Sequence, residues 1–318
     1  MKYLGSGARS SIWSIRQRNS GEVFALKRVV RREDADDRFL EQAENEFAIG
    51  SRLSHPVVRR CHEIRRIRKW FRTREVHLIM EYCPGKSVQE NRPTDLMEVL
   101  RIFTAVAEGL NYMHRNGWLH TDMKPNNIIV APGGTVKVID LGQGCEIGTI
   151  KERIQGTPDF IAPEQVNRYP LDARTDVFNF GAALYWTLTG QAIKTVMPKQ
   201  ADTIHLKDEL NLQSASELNP EVPPALAGLV ADCVTFQASK RPVSMEPVLT
   251  KLALIQKQLT RRIPNADTLG DKDASDEAVL FDEENPFDEE DPFDDEDPFD
   301  DEQELSQWED RPHGPSGG

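Results

Sequence analysis

The sequence of 318 residues predicts an α+β fold in two unequal parts, a small β-rich part carrying one helix and then a larger, mostly α-helical part. Three observations predict it. Up to about residue 81, short runs with apolar side chains at alternate positions read as strands, interrupted only at residues 33–53 by apolar residues at helical spacing. From Leu96 to Met113 the apolar residues keep to one face of a long helix. Between that helix and two short strands lies a polar octet, His120-Thr121-Asp122-Met123-Lys124-Pro125-Asn126-Asn127, with Asp140-Leu141-Gly142 close behind.

The octet and its sequel carry chemistry. A strand Asn127–Val130, a turn at Pro132-Gly133-Gly134 and a strand Thr135–Ile139 put two carboxylates, one ammonium and one amide on loops at neighbouring strand ends. Phosphoryl transfer from a magnesium nucleotide needs that set: one carboxylate orients the attacking hydroxyl and another holds the metal. The amide completes the metal shell, and the lysine offsets charge on the moving phosphoryl group. The octet resembles the H-R-D-x-K-x-x-N catalytic loop of protein kinases, and Asp140-Leu141-Gly142 resembles their D-F-G. The chain is thereby similar to the eukaryotic-like (Hanks-type) serine/threonine protein kinases. The resemblance implies a bilobal catalytic domain over residues 1–262, with an N-lobe at 1–81 and a C-lobe at 84–262. It makes Asp122 the catalytic base, Lys124 a phosphate-side cation, and Asn127 and Asp140 ligands of Mg2+, or of Mn2+ in its place, with ATP as the donor.

In the N-terminal part, Tyr3-Leu4 reads as a strand cut short by its position, and Gly5-Ser6-Gly7 as a tight turn into the strand Ser11–Ile15. This resembles the kinase glycine-rich loop, where backbone N–H groups approach the nucleotide phosphates, with Ser10 in place of the third glycine. Val23-Phe24-Ala25-Leu26-Lys27 matches the family's V-A-I-K, which implies Lys27 on the phosphates and Ala25 and Ile12 on the adenine. Counting back from His55-Pro56 selects Glu46 as the helix carboxylate paired with Lys27, with Glu41 and Glu44 as competitors. Four residues on, where the family stacks a bulky apolar side chain, stands Gly50, and beside it Cys61. Either that stack is thin, or Trp70 or Phe71 fills it. Arg59, Arg60, Arg65, Arg66, Arg68, Lys69, Arg72 and Arg74 crowd one predicted hairpin. They read as a solvated strand face, or as a docking surface for an acidic partner or the chain's own acidic end; no nucleic acid is expected, since interleaved aromatics are missing. His77–Cys83 matches the strand and hinge joining the lobes, with Met80 at the back of the adenine pocket and the backbones of Glu81 and Cys83 on the base.

In the C-terminal part, Thr94 is the expected N-cap of the long helix, which ends at Gly117. The resemblance makes His120 a packing residue. Thr121 stands where regulated kinases carry an arginine that reads an activation-loop phosphate, so strict phosphate dependence is not expected. Thr149 and Thr157 are the hydroxyls of residues 143–161, and Thr149 is a candidate for autophosphorylation. Gly156–Glu164 matches the family's G-T-x-x-[YF]-x-A-P-E, which implies Thr157 hydrogen-bonded to Asp122 and Lys124, and Glu164 paired with Arg241. Asp176 and Gly181 match the helix that anchors the catalytic loop. These elements imply a protein substrate with serine/threonine specificity, and Gln165 suits a bacterial member.

Charge divides the chain. Residues 1–270 carry a net charge of +6 and residues 271–318 a net charge of −19. The acidic stretch repeats a hexad three times, from Asn285-Pro286-Phe287, Asp291-Pro292-Phe293 and Asp297-Pro298-Phe299. Such charge density with regular proline predicts a disordered tail over 263–318, either featureless, docked on a partner through its phenylalanines, or docked on the chain's own basic hairpin. Four scattered cysteines make neither a disulfide framework nor a zinc site and point to a reducing cytoplasm. The longest apolar run, Phe180–Trp186, is too short to span a membrane. Two functional readings follow: a serine/threonine protein kinase, or a pseudokinase-like scaffold that binds nucleotide and presents an acidic multivalent tail.

Overall fold

Alternating side chains turn the N-terminal part into an antiparallel sheet. In the computed structural model, which describes residues 1–7, 9–69, 71–193 and 212–262, five elements build it. They are β1 (Lys2–Gly7), β2 (Ser10–Arg16), β3 (Val23–Val30), then, beyond α1 (Asp37–Gly50), β4 (Cys61–Lys69) and β5 (Arg72–Glu81). The strand order is β1-β2-β3-β5-β4. On β3 the period of two sends Phe24 and Leu26 to one side, packed with Ile79, and Ala25 to the other, packed with Cys61, Leu78 and Met80. The face of α1 carrying Leu40, Ala43, Glu46, Ile49 and Gly50 is buried.

Two expectations are corrected here. Gly5-Ser6-Gly7 is not a tight turn: the three are the last residues of the first strand and pair with Ile12, Ser11 and Ser10. A bulge between Tyr3 and Gly5 absorbs the irregularity, and the turn comes after Gly7. Phe71 does not fill the space beside Gly50 and Cys61, since it is 97% exposed at the tip of the β4–β5 hairpin. Trp70 and the acidic tail of 263–318 lie outside the described residues.

The C-terminal part begins with β6 (Lys86–Ser87) and α2 (Leu96–Arg115), and continues through β7 (Trp118–Leu119), β8 (Ile128–Val130), β9 (Val136–Val138) and β10 (Cys145–Glu146). Then follow α3 (Pro163–Val166), α4 (Ala173–Thr189), α5 (Ala215–Leu218), α6 (Pro224–Cys233) and α7 (Met245–Arg262). Asp95, not Thr94, caps α2: its carboxylate accepts from the Glu98 N–H at 2.7 Å. The carboxylate also suits the positive end of the helix dipole. The core sits between α2, α4, α6 and α7, where Phe103 and Phe180 meet edge to face with centroids 5.4 Å apart. Strands β6, β8 and β9 form one small sheet and β7 with β10 another; between them they hold the polar octet and Asp140.

Candidate active site

Sheet register assembles the first half of the site. Directly opposed residues share a face, as do residues two apart. Ile12 lies opposite Lys27, and Ala25 opposite Met80, so Ile12, Ala25, Lys27 and Met80 share one side of the sheet, with Gly5 opposite Ile12. At the hinge, the Glu81 N–H is committed to the Arg60 carbonyl at 2.9 Å, and the Cys83 thiol rests on the Glu81 carbonyl at 3.7 Å.

Lys27 Nζ lies 2.7 Å from Glu46 Oε2 and 3.7 Å from Asp140 Oδ1. Glu46 is therefore the helix carboxylate; Glu44 instead pairs with Arg66 at the surface, 2.8 Å apart. The other oxygen of Glu46 is taken by Arg59, at 2.7 Å. Arg59 thus leaves the solvated basic face on which its sequence position placed it, being only 7% exposed. Burial lowers the Lys27 pKa, but Glu46 and Asp140 outweigh it and hold the ammonium above the ordinary lysine value. Burial raises the Asp140 carboxyl, yet Lys27, Arg59 and Lys124 bring it down to about 2, so it is ionised at neutral pH.

The octet is a loop tied down by backbone bonds. Buried Asp176, near the start of α4, accepts the N–H groups of His120 at 2.8 Å and Thr121 at 2.7 Å and a ring N–H of His114 at 2.8 Å. His120 lies between the Ile139 carbonyl, 3.1 Å from Nε2, and the Asp122 N–H, 3.2 Å from Nδ1. Those partners specify the neutral tautomer protonated at Nε2, which leaves His120 a bracket between the octet and the strand leading to Asp140. Thr121 and Asp140 both have positive φ, 59° and 62°, a conformation that non-glycine residues adopt only when their surroundings impose it.

Asp122 is the hub. Its Oδ2 accepts from Lys124 Nζ at 2.8 Å and Gln143 Nε2 at 3.2 Å, and its Oδ1 from the Thr157 hydroxyl at 3.0 Å. Lys124 also donates to Thr157 Oγ1 at 2.8 Å. Asn127 gives its amide N–H to the Asp122 carbonyl at 2.8 Å, leaving Oδ1 as the atom it can offer a cation. The remaining segment is locked by Glu164 and Arg241, a bidentate buried pair at 2.7 and 3.0 Å. Among the described residues no group of three His, Cys, Asp or Glu is built to hold a metal by itself. A carboxylate and an amide oxygen do fit Mg2+, which takes few protein ligands and completes its shell with phosphate and water.

Besides Arg59, three residues make contacts that escaped the sequence reading. Arg9 ties the end of the first turn to Asp36 and Glu33, at 2.8 and 2.9 Å. Gln143 reaches Asp122, and its carbonyl accepts the Thr121 hydroxyl at 2.7 Å. In place of a phosphate-reading arginine, Thr121 thus joins the residue after Asp140-Leu141-Gly142 to the octet. Asn45 on α1 donates to the carbonyls of Gly142 and Gly144 at 3.0 and 2.8 Å. At Gly144 a Cβ would stand 2.9 Å from the Leu119 carbonyl oxygen as well as 2.6 Å from Ile49 Cδ1, and the backbone atom cannot give way cheaply, so glycine suits this approach.

The family model described as protein kinase domain matches residues 1–252. A probable serine/threonine-protein kinase of Clostridium acetobutylicum is 31% identical over 195 residues, 57% of this chain and 28% of that protein. Probable serine/threonine-protein kinase PknB of Lactococcus lactis is 25% identical over 266 residues, 80% of this chain and 41% of that protein. A Mus musculus protein named inactive serine/threonine-protein kinase PLK5 is 29% identical over 238 residues, 72% and 39% of the two chains. The chain spans less than half the length of these relatives. Likeness of this degree reaches a protein named inactive as well as proteins named kinases. With the family model matching four-fifths of its length and the fold arranged in two lobes around the octet, the chain belongs to the protein kinase family.

Proposed function

We propose that the chain is an ATP- and Mg2+-dependent serine/threonine protein kinase. The observation that carries this reading is the state of Asp122. Its carboxylate is held simultaneously by Lys124, by Thr157 of the activation segment and by Gln143, while Lys27 is closed on Glu46 and faces Asp140. Every charged position that phosphoryl transfer needs is filled and engaged at once, which disfavours the scaffold reading.

Asp122 orients the acceptor hydroxyl and takes its proton as the new P–O bond forms and the bond to the β-phosphate oxygen breaks. Lys27 binds the non-transferred phosphates, and Lys124 balances charge on the transferred group. Asn127 and Asp140 would hold Mg2+, which supplies electrostatic stabilisation of phosphate charge when bound. Gly5, Ser6 and Gly7 present backbone to the phosphates, and Ile12, Ala25 and Met80 receive the base, with the backbones of Glu81 and Cys83 hydrogen-bonding its edge. Serine/threonine specificity rests on Lys124 and Thr157, and a protein substrate on the platform closed by the Glu164–Arg241 pair. Among the described residues no helix is long and apolar enough to cross a membrane, and the free cysteines suit a cytoplasmic setting.

For the acidic residues after 262 we propose a docking role toward a basic surface. A cavity of about 360 Å³ lined by Arg31, Arg32, Lys69, Phe71, Arg72 and Arg74 together with Glu33 and Asp34, the last paired with Arg31 and Arg72, carries a net positive charge that offers that chemistry on this chain. Truncation at 262 tests it: salt-sensitive binding of the excised acidic peptide to the truncated domain is expected, and lack of binding at low salt contradicts self-docking. The kinase reading is tested by phosphoamino-acid analysis of a generic basic protein incubated with the chain, labelled ATP and Mg2+. Label on serine or threonine is expected; no label, or label on tyrosine, contradicts the reading.

A further inference from the structure

The buried carboxylate of Glu46 has two cations where pairing with the strand lysine requires one. Its residue is 0% exposed, Lys27 takes Oε2 and Arg59 takes Oε1, each at 2.7 Å. Resting on the kinase reading, we propose that Arg59 is a positioning residue that holds Glu46, and with it α1, against the site before nucleotide arrives and independently of Lys27.

Three observations carry this. First, Lys27 also faces Asp140 and, on the kinase reading, the nucleotide phosphates. A carboxylate with Lys27 as its sole partner would lose compensation whenever the ammonium turned to phosphate, and an uncompensated buried charge is strongly unfavourable. Arg59 removes that conflict, because its guanidinium keeps Oε1 satisfied whichever way Lys27 turns. Second, α1 presents no side chain of its own where Gly50 meets β4. A Cβ at Gly50 would stand 2.5 Å from Cys61 Sγ and 3.1 Å from Cys61 Cβ, so the helix meets the strand through a glycine and a cysteine, with the thiol 3.5 Å from the Glu46 carbonyl. Polar ties add to the apolar packing of Phe47 and Ile49 there: Arg59 on Glu46, and Asn45 on the carbonyls of Gly142 and Gly144. Third, Arg59 is itself fixed to the catalytic half. Its N–H donates to the Val138 carbonyl at 3.0 Å, and Val138 donates to Val57 at 2.7 Å. Val138 lies two residues before Asp140, so the guanidinium joins α1 to the strand that delivers the metal-facing carboxylate.

Cys61 provides the readout. The residue is 2% exposed and its thiol lies against Gly50, so alkylation needs α1 to move away. Cys233, 0% exposed in the other lobe, reports global opening in the same sample. The full chain without nucleotide is treated with iodoacetamide, and the Cys61 and Cys233 peptides are quantified by mass spectrometry. Expected are slow Cys61 labelling in wild type, labelling within about twofold of wild type in Lys27→Met, and at least tenfold faster labelling relative to Cys233 in Arg59→Met. Arg59→Lys should restore much of the protection, and Arg59→Met should raise KM for ATP more than Arg59→Lys does. If Arg59→Met does not fold, the Lys27→Met arm decides by itself. Tenfold faster Cys61 labelling in Lys27→Met, or wild-type protection in folded Arg59→Met, overturns the proposal. Failure of wild type to transfer phosphate would sink the kinase reading instead, and the labelling pattern would still decide the role of Arg59.

Discussion

Replacing Thr157 with valine removes one hydroxyl and little volume. That hydroxyl donates to Asp122 Oδ1 at 3.0 Å and accepts from Lys124 Nζ at 2.8 Å, so it closes a triangle around the proposed base. Each contact involves a charged group, and hydrogen bonds of that kind are worth about 1.5–3 kcal/mol. Loss of one such contact in the transition state corresponds to about a 10- to 150-fold drop in kcat. The triangle has a second anchor, since Gln143 and Lys124 still hold Oδ2, and this keeps the expected loss well below that of removing Asp122 itself. The assay is steady-state phosphorylation of a generic basic protein by wild type, Thr157→Val and Thr157→Ser, with melting temperature as a control. Thr157→Ser keeps the hydroxyl and should stay near wild type, while KM for ATP should change little in both. A Thr157→Val enzyme with kcat within twofold of wild type would refute the reasoning, because the contact would then be incidental.

Two further predictions concern stability. Arg241→Met leaves Glu164 buried without its bidentate partner and strips donors from the carbonyls of Arg174, Thr235 and Phe236. Breaking such a pair costs about 3–5 kcal/mol, readable as a lower guanidinium midpoint, and a loss under about 1 kcal/mol would contradict the burial argument. Glu75 is held down at about 2 from an ordinary 4.5, first by its hydrogen bond with His77 and, against the effect of burial, by Arg28. A depressed carboxyl stabilises fully above the unfolded value and loses that contribution as pH falls through the folded one. Denaturation midpoints should therefore fall between pH 4.5 and about 2, more steeply in wild type than in Glu75→Gln; equal slopes would remove Glu75 from the account.

Much of the site was legible because its residues sit in short local motifs. Asp122, Lys124 and Asn127 belong to one octet, Asp140 follows a recognisable strand, and Lys27 lies on an alternating run. Glu46 was legible by register, and Lys27 chooses it over Glu44. What escaped the sequence depends on contacts between segments far apart in the chain. Arg59 sits in a basic run that reads as solvent-facing, yet its backbone bonds to Val138 instead of continuing a surface strand, and this turns its side chain inward onto Glu46. Its neighbours Arg66 and Arg72 do face water, and they pair with Glu44 and Asp34. Gln143 carries no motif of its own, and its role at Asp122 appears only once the activation segment folds back. Gly50 looked like a defect in an apolar stack. In the fold it is a close contact with Cys61, and the polar grip of Arg59 occupies the same end of the helix.

The most direct test of the central claim is transfer of labelled γ-phosphate from ATP by wild type and Asp122→Ala, alongside a binding measurement for Mg2+-ATP in each. Loss of a positioned base predicts a fall of about 10²–10⁴ in rate, with nucleotide affinity retained, since Lys27, Asn127 and Asp140 are untouched. Equal transfer by both proteins, or nucleotide binding with no transfer by wild type, would contradict the account.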